Sequence, residues 1–130
     1  MIRHIAQIAL LVRDYDEAIA WYSAALGFVR LEDTDLGGGK RWVRIAPESG
    51  TAFALLLAKA TTPEQQACIG RQHGGRVGFF LHTDDFARDH AALAAAGAHL
   101  DGEPRHETYG TVIVFEDLYG NRWDLIEPRA

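Results

Sequence analysis

The feature that most constrains this chain is an internal repeat at a separation of about 70 residues. Three pairs of landmarks carry it: the helix-capping aspartates Asp14 and Asp85, the glycines Gly27 and Gly97, and the glycines Gly50 and Gly120. The aspartates are 71 positions apart and both glycine pairs are 70 apart, so one deleted residue in the second helix accounts for the difference. The alternative is a pair of unrelated strand–helix units with common capping residues. The repeat predicts two modules of similar fold.

The first module is predicted to be a strand, a helix and three further strands. Residues 5–12 are apolar and rich in branched side chains, which indicates a strand. Asp14 and Glu17 are spaced as in a capping box, and Gly27 suits the left-handed conformation that ends a helix. The later strands are expected at 28–33, 40–46 and 51–57, with a flexible glycine loop at 37–39.

The second module repeats this order after a linker. Residues 77–83 predict a strand, and residues 86–96 predict a helix that Asp85 caps and Gly97 ends. A weak strand is expected at 98–102, followed by a hairpin of strands 111–116 and 122–127. The 130 residues are therefore interpreted as one α+β domain, with module one at about 1–60, a linker at 61–75 and module two at 76–130.

Composition excludes several classes of function. The net charge is −5 and no basic run occurs, so we expect no nucleic-acid partner. A single cysteine, Cys68, permits no intrachain disulfide. The chain opens directly on a strand pattern, without a signal peptide's apolar core, and the longest apolar stretches are too short to span a bilayer. We expect a cytoplasmic protein with no membrane partner.

Two motifs carry a resemblance to a known family. They are Val12-Arg13-Asp14-Tyr15 with Trp21-Tyr22 and Leu26-Gly27-Phe28, and the later segment Asp117-Leu118-Tyr119-Gly120-Asn121-Arg122-Trp123-Asp124-Leu125. The chain resembles the vicinal oxygen chelate superfamily, which includes glyoxalase I, bleomycin-resistance proteins and extradiol dioxygenases. The resemblance implies two βαβββ modules whose strands form a curved mixed sheet, a cup with helices outside and the ligand inside. It says little about the reaction, because one fold hosts many functions.

The resemblance also implies where a metal ion would be bound. Metal-dependent members place one ligand near the start of each module's first strand and one on each last strand. The positions on the first strands are Gln7 and Gly78. The positions on the last strands are Ala54 and Asp124, with Leu55 in place of Ala54 if the strand register shifts by one residue. Only two carry donor atoms, whereas a catalytic metal normally has three protein ligands. We therefore predict no metal site and no cofactor, with Gln7 and Asp124 as the ligands of any residual divalent-metal site.

Strand alternation indicates which side chains line the cup. The predicted ligand-binding residues are Gln7, Leu11, Phe80, His82, Arg122 and Asp124 from this alternation, Trp42 as a pocket aromatic or a dimer contact, and Tyr109 at the rim. His82 lies four residues beyond Gly78, about 13 Å away at strand rise, so it does not replace a missing metal ligand. Several of these residues have an alternative, purely structural interpretation. Arg122 and Asp124 would form a local ion pair, and Tyr109 would face solvent from a loop that also contains His106 and Glu107.

Three functions remain open at this point. The first is a metal-free module that binds an apolar or aromatic small molecule. The second is a glyoxalase-, epimerase- or dioxygenase-type enzyme, in which Gln7 and Asp124 remain as ligands and a second chain supplies others. The third is a metal-free enzyme with His82 or Asp124 as the catalytic group for proton transfer. Because the family often pairs modules between chains, a homodimer is expected.

Overall fold

A computed structural model describes residues 1–130 and contains eight strands and three helices. The strands are β1 (Gln7–Val12), β2 (Val29–Gly37), β3 (Lys40–Ala46), β4 (Ala54–Lys59), β5 (Val77–His82), β6 (Arg105–Glu107), β7 (Gly110–Glu116) and β8 (Arg122–Pro128). The helices are α1 (Tyr15–Leu26), α2 (Pro63–Ala67) and α3 (Phe86–Ala95). The chain divides into two compact units, Met1–Ile69 and Gly70–Ala130. None of the helices is long and apolar enough to cross a membrane.

The first unit is a four-stranded mixed sheet with the order β1-β4-β3-β2. β1 runs parallel to β4, with Gln7 opposite Ala54, and the other pairs are antiparallel. One face packs under α1, and its buried core residues are Leu10, Val12, Val43, Ile45, Leu55 and Leu57. The other face carries the alternate residues of the same strands and stays open within this unit.

Local capping places α1 as the sequence predicts. The Asp14 carboxylate accepts a hydrogen bond from the Glu17 backbone N–H at 2.8 Å, and Gly27 ends the helix with a φ of 68°. Glu17 forms an ion pair with Arg13 one turn away. The helix then buries Ala18, Tyr22 and Ala25 against the sheet. Both helix boundaries are thus encoded by residues at the ends of the helix.

The second unit repeats the topology, with the strand order β5-β8-β7-β6. β5 runs parallel to β8, and a bulge lies between Val77 and Phe79. Phe79 stacks on Trp123, with ring centroids 4.5 Å apart, on the face that α3 covers. Asp85 caps α3 by accepting a hydrogen bond from the Arg88 backbone N–H at 3.1 Å. The predicted α+β class with two βαβββ modules is confirmed.

Three strands differ most from their predicted bounds, and the one expected at 51–57 is β4 at Ala54–Lys59. The weak strand expected at 98–102 is only a single bridge between Leu100 and Phe115, and the edge strand is β6 at Arg105–Glu107. β6 has three residues, all polar, so it shows no apolar alternation from which to predict it. In the first unit, β2 continues to Gly37, and the glycines form the tip of the β2–β3 hairpin. The distal half of β2 is exposed and carries no apolar alternation that predicts a strand.

Candidate functional site

A cavity of about 540 Å³ lies within the first unit. Its apolar walls are formed by Leu11, Leu36, Trp42, Leu56 and Ala58. Lys40, Lys59, Thr61 and Gln65 supply polar groups, and the hairpin tip at Gly38 and Gly39 closes one end. A concave, mainly apolar site with a few polar groups is the usual form of a small-molecule pocket.

Strand register brings Leu11, Trp42 and Ala58 onto one face of the sheet, whereas Leu57, which also lines the cavity, belongs to the opposite face. Leu11 on β1 lies opposite Ala58 on the parallel strand β4. Trp42 precedes Val43, which pairs with Leu57, so Trp42 and Ala58 project from the same side of the sheet. Leu11 and Trp42 are the two predicted ligand-binding residues that line this cavity. Gln7 is half-buried at the start of β1 and lies outside it.

The hairpin tip is fixed to the start of α1 through Arg41. Its backbone N–H donates to the Tyr15 hydroxyl at 3.2 Å, and its guanidinium lies 5.1 Å from the centre of the Tyr15 ring. The same guanidinium pairs with Asp33 at 2.7 Å and Asp16 at 3.0 Å. Hydrogen bonding to Arg41 lowers the pKa of Asp33. These contacts hold one wall of the cavity and neutralise the charge of Arg41.

Arg44 is a polar residue on the open face that the sequence analysis missed. It lies opposite Leu56 on β4 and Glu32 on β2, and its Nη1 donates to the Glu32 carboxylate at 2.7 Å. Its Nε is buried without a hydrogen-bond partner. The signal available in the sequence was its position two residues after Trp42, which puts both side chains on one face of β3.

The second unit holds the remaining predicted residues. Phe80 on β5 lies opposite Asp124 on β8, and His82 lies opposite Ile126, so these groups share the face away from Trp123. Phe80 is 62% exposed. Burial raises the pKa of Asp124, and the charge of Arg105 and then that of Arg122 oppose the shift.

The other two predicted residues have separate surroundings. Arg122 donates to Asp101 at 2.8 Å, and this pair replaces the expected ion pair with Asp124. Tyr109 lies in the turn between β6 and β7 with 53% of its surface exposed. Its neighbours His106 and Glu107 belong to β6 rather than to a loop. Tyr109 is thus separate in the fold from the β5–β8 pair that carries Phe80 and Asp124.

The register corrects one of the four positions at which a metal ligand was expected. Ile8 pairs with Leu55, and Phe79, 71 positions after Ile8, pairs with Trp123. The residue equivalent to Asp124 is therefore Leu56, not Ala54. The reason is a loop-length difference: residues 117–121 connect β7 to β8, two fewer than the 47–53 loop between β3 and β4. Neither Ala54 nor Leu56 has a side-chain donor atom, so the corrected position also lacks a metal ligand.

The Gly78 position is closed by a neighbouring side chain. A Cβ built on Gly78 would lie 2.3 Å from Cγ and Nδ1 of His73, whose ring packs edge-on against Phe79 at 4.9 Å. The four positions therefore hold a neutral amide, a leucine, a glycine and one carboxylate. No group of three or more histidine, cysteine, aspartate or glutamate side chains is arranged to hold a metal ion. This donor set does not fit a catalytic divalent metal.

The chain is similar to known proteins over nearly its whole length. Residues 4–125 match the family model of the glyoxalase/bleomycin resistance protein/dioxygenase superfamily. An uncharacterised protein of Shewanella frigidimarina (strain NCIMB 400) is 49% identical over 128 residues. The aligned region covers 98% of this chain and 95% of that protein.

Two solved structures share the fold. TnmS3, an antibiotic binding protein from Streptomyces sp. CB03234, is 30% identical with a TM-score of 0.76, and the match covers 98% of each chain. UcmS2 is 27% identical with a TM-score of 0.81, and the match covers 98% of this chain and 99% of that one.

Proposed function

Since the chain belongs to the glyoxalase/bleomycin resistance protein/dioxygenase superfamily, we propose that it binds an apolar or aromatic small molecule without a metal ion. The observation that carries this proposal is the cavity of about 540 Å³ in the first unit. Its size lies within the range of pockets that enclose drug-sized ligands. Leu11, Leu56 and Ala58 form a continuous apolar floor, beside which the half-buried Trp42 offers an aromatic surface.

The aromatic surface of Trp42 favours a flat ligand. Stacking on an indole contributes about 0.5–1.5 kcal/mol beyond the burial of apolar area. Burial itself contributes about 25 cal/mol for each Å² of apolar surface removed from water. The similarity to TnmS3, described as an antibiotic binding protein, supports a binding role over the whole chain.

The binding proposal is tested with a neutral aromatic dye, N-phenyl-1-naphthylamine, titrated by fluorescence. We expect saturable binding that weakens at least about tenfold in Trp42→Ala, because stacking and apolar contact are lost together. Phe53→Ala removes an exposed aromatic side chain outside the cavity and serves as the matched control. Binding that survives Trp42→Ala but fails in Phe80→Ala would move the site to the second unit and overturn the proposal.

The metal-free part of the proposal has its own test. Of the four positions, Gln7 and Asp124 carry donors, and Gln7 is neutral. We expect purified protein to hold no stoichiometric Ni, Zn, Fe or Mn after dialysis against buffer without chelator, as measured by plasma mass spectrometry. One equivalent of any of these metals, lost on Asp124→Ala, would instead establish a metal site and overturn the metal-free proposal.

A metal-free enzyme is the second candidate, and one observation favours it. Asp124 has a pKa raised by burial and shares the open face of the second sheet with His82. A carboxylate whose pKa is raised accepts a proton more readily than an ordinary aspartate does. Any activity detected in a substrate screen should fall in Asp124→Asn and His82→Gln. An activity that both variants retain excludes this role.

We also propose that the chain forms a homodimer. Ile8 and Phe80 lie on the edge strands β1 and β5 and are 45% and 62% exposed. Exposed apolar side chains on the unpaired edge of a sheet offer a surface that a second copy of the chain can cover. Light scattering after size exclusion should give twice the chain mass of 14.4 kDa. A mass equal to one chain at all concentrations would contradict the dimer.

A further inference from the structure

We propose that the cavity of the first unit selects anionic aromatic ligands, with a carboxylate or similar acidic group held by Lys40 and Lys59. This inference rests on the proposed binding function and adds the chemical class of the ligand. It follows from the charged and hydrogen-bonding groups that line the cavity. The lining is positively charged, whereas the whole chain is acidic.

The lysines of this protein are concentrated at the cavity. The chain contains two lysines, Lys40 and Lys59, against eleven arginines, and both lysines line the cavity. Lys40 begins β3 at the hairpin tip and Lys59 ends β4. Neither forms a salt bridge, whereas Arg41 beside them is neutralised by Asp33 and Asp16. Both lysines therefore contribute positive charge to the cavity lining with no acidic partner of their own.

The cavity lining contains no carboxylate. The acidic partners of Arg41 lie outside the residues that line it, although the whole chain has a net charge of −5. The local charge at this site is thus positive on an acidic protein. An anion is attracted to such a site, and a cation is repelled by it.

The uncharged polar groups of the cavity add further donors. The Gln65 side-chain oxygen accepts from the Thr61 backbone N–H at 2.8 Å and from the Thr61 hydroxyl at 3.2 Å. The side-chain amide N–H groups of Gln65 form no hydrogen bond within the protein and can donate to a ligand. The Tyr15 hydroxyl already accepts from Arg41, and the indole of Trp42 can only donate. A ligand that supplies acceptor oxygens is complementary to this set, and a ligand rich in donors is not.

Naphthalene-2-carboxylate and naphthalene-2-carboxamide test the inference, because they share one ring system and differ in charge. We expect calorimetry at low salt to show about threefold to tenfold tighter binding of the carboxylate, the effect of two solvent-accessible ion pairs. The preference should shrink as ionic strength rises from about 0.01 M to about 1 M, because the Debye length falls from about 30 Å to about 3 Å.

Lys40→Gln/Lys59→Gln should abolish the preference while the amide binds as before. Arg71→Gln/Arg76→Gln is the matched control, since it removes two positive charges from exposed positions outside the cavity. Lys40→Arg/Lys59→Arg should retain the preference because both positive charges remain, and unchanged binding of the amide shows that Lys40→Gln/Lys59→Gln still folds.

The outcomes separate this inference from the proposed function. Equal binding of the two compounds, or a preference unchanged in Lys40→Gln/Lys59→Gln, overturns the anionic selectivity and leaves aromatic binding intact. Failure of both compounds to bind, together with failure of N-phenyl-1-naphthylamine, overturns the binding function itself.

Discussion

The hydroxyl of Tyr15 accepts a hydrogen bond from the backbone N–H of Arg41 at 3.2 Å, across 26 positions of sequence. Tyr15 is the first residue of α1, and Arg41 follows the hairpin tip that walls the cavity. The guanidinium of Arg41 also lies over the Tyr15 ring. One buried tyrosine therefore ties the helix-covered face of the first unit to its candidate binding site.

Tyr15→Phe should lower the free energy of unfolding by about 1 kcal/mol, because the ring stays while the acceptor for the Arg41 N–H is lost. Urea unfolding followed by circular dichroism measures the change. Tyr109→Phe removes an exposed hydroxyl and should leave the midpoint unchanged. Coincident midpoints for Tyr15→Phe and the wild type would show that water replaces the hydroxyl without loss.

Asp117→Ala should destabilise the protein by roughly 3 kcal/mol, since it removes a buried acceptor. The Asp117 carboxylate accepts from the backbone N–H groups of Tyr119 and Asn121 at 3.0 Å, from the Asn121 side chain at 3.0 Å and from the Trp123 indole at 3.2 Å. Asp117→Asn keeps one oxygen and should cost less. Asp84→Ala, an exposed aspartate, is the control in denaturant unfolding. Equal stability of Asp117→Ala and wild type would contradict the network's role.

Gly78→Ala should cost about 1–3 kcal/mol, because its Cβ would lie 2.3 Å from the His73 ring. His73→Ala should relieve most of that cost, which a double-mutant cycle in thermal unfolding measures. Gly70→Ala provides the comparison: its φ is 77°, and the new Cβ meets the Tyr119 backbone oxygen at 1.9 Å, which no side-chain deletion relieves. Additive effects of Gly78→Ala and His73→Ala would contradict the contact.

Asp124→Asn should raise stability at pH 7, and the gain should vanish on acidification. Burial raises the folded-state pKa of Asp124, so the charged form is penalised in the folded protein at a pH above the ordinary aspartate range. Below that range both states hold the proton and the penalty is absent. Unfolding free energies of the two proteins, measured as pH falls, should converge. If the difference in unfolding free energy between the two proteins stayed the same at all pH values, ionisation of Asp124 would not be its cause.

Much of the fold was predictable because its signals are local. Asp14 and Asp85 cap the helices that follow them, and Gly27 ends the first, as the capping rules require. Thr62 and Pro63 begin the short helix of the linker in the same way. The strand β6 was missed because three polar edge residues carry no periodic pattern.

The candidate site was predictable only in part. Alternation placed Leu11 on the inner face, Trp42 was expected as a pocket aromatic or a dimer contact, and both line the cavity. It did not identify Arg44, whose partner Glu32 lies on another strand. It also did not show that Lys40 and Lys59, 19 positions apart, line a single cavity.

The sequence by itself determined the two-module repeat, the helix caps, and which residues alternate between the faces of each strand. These properties depend on local hydrogen bonds and on the periodicity of apolar residues. Both involve residues only a few positions apart in the sequence. Only the tertiary structure decided that Leu56 is equivalent to Asp124 and that Arg122 pairs with Asp101. Register and ion pairing depend on loop length and on contacts between distant segments, and these are settled when the strands pack.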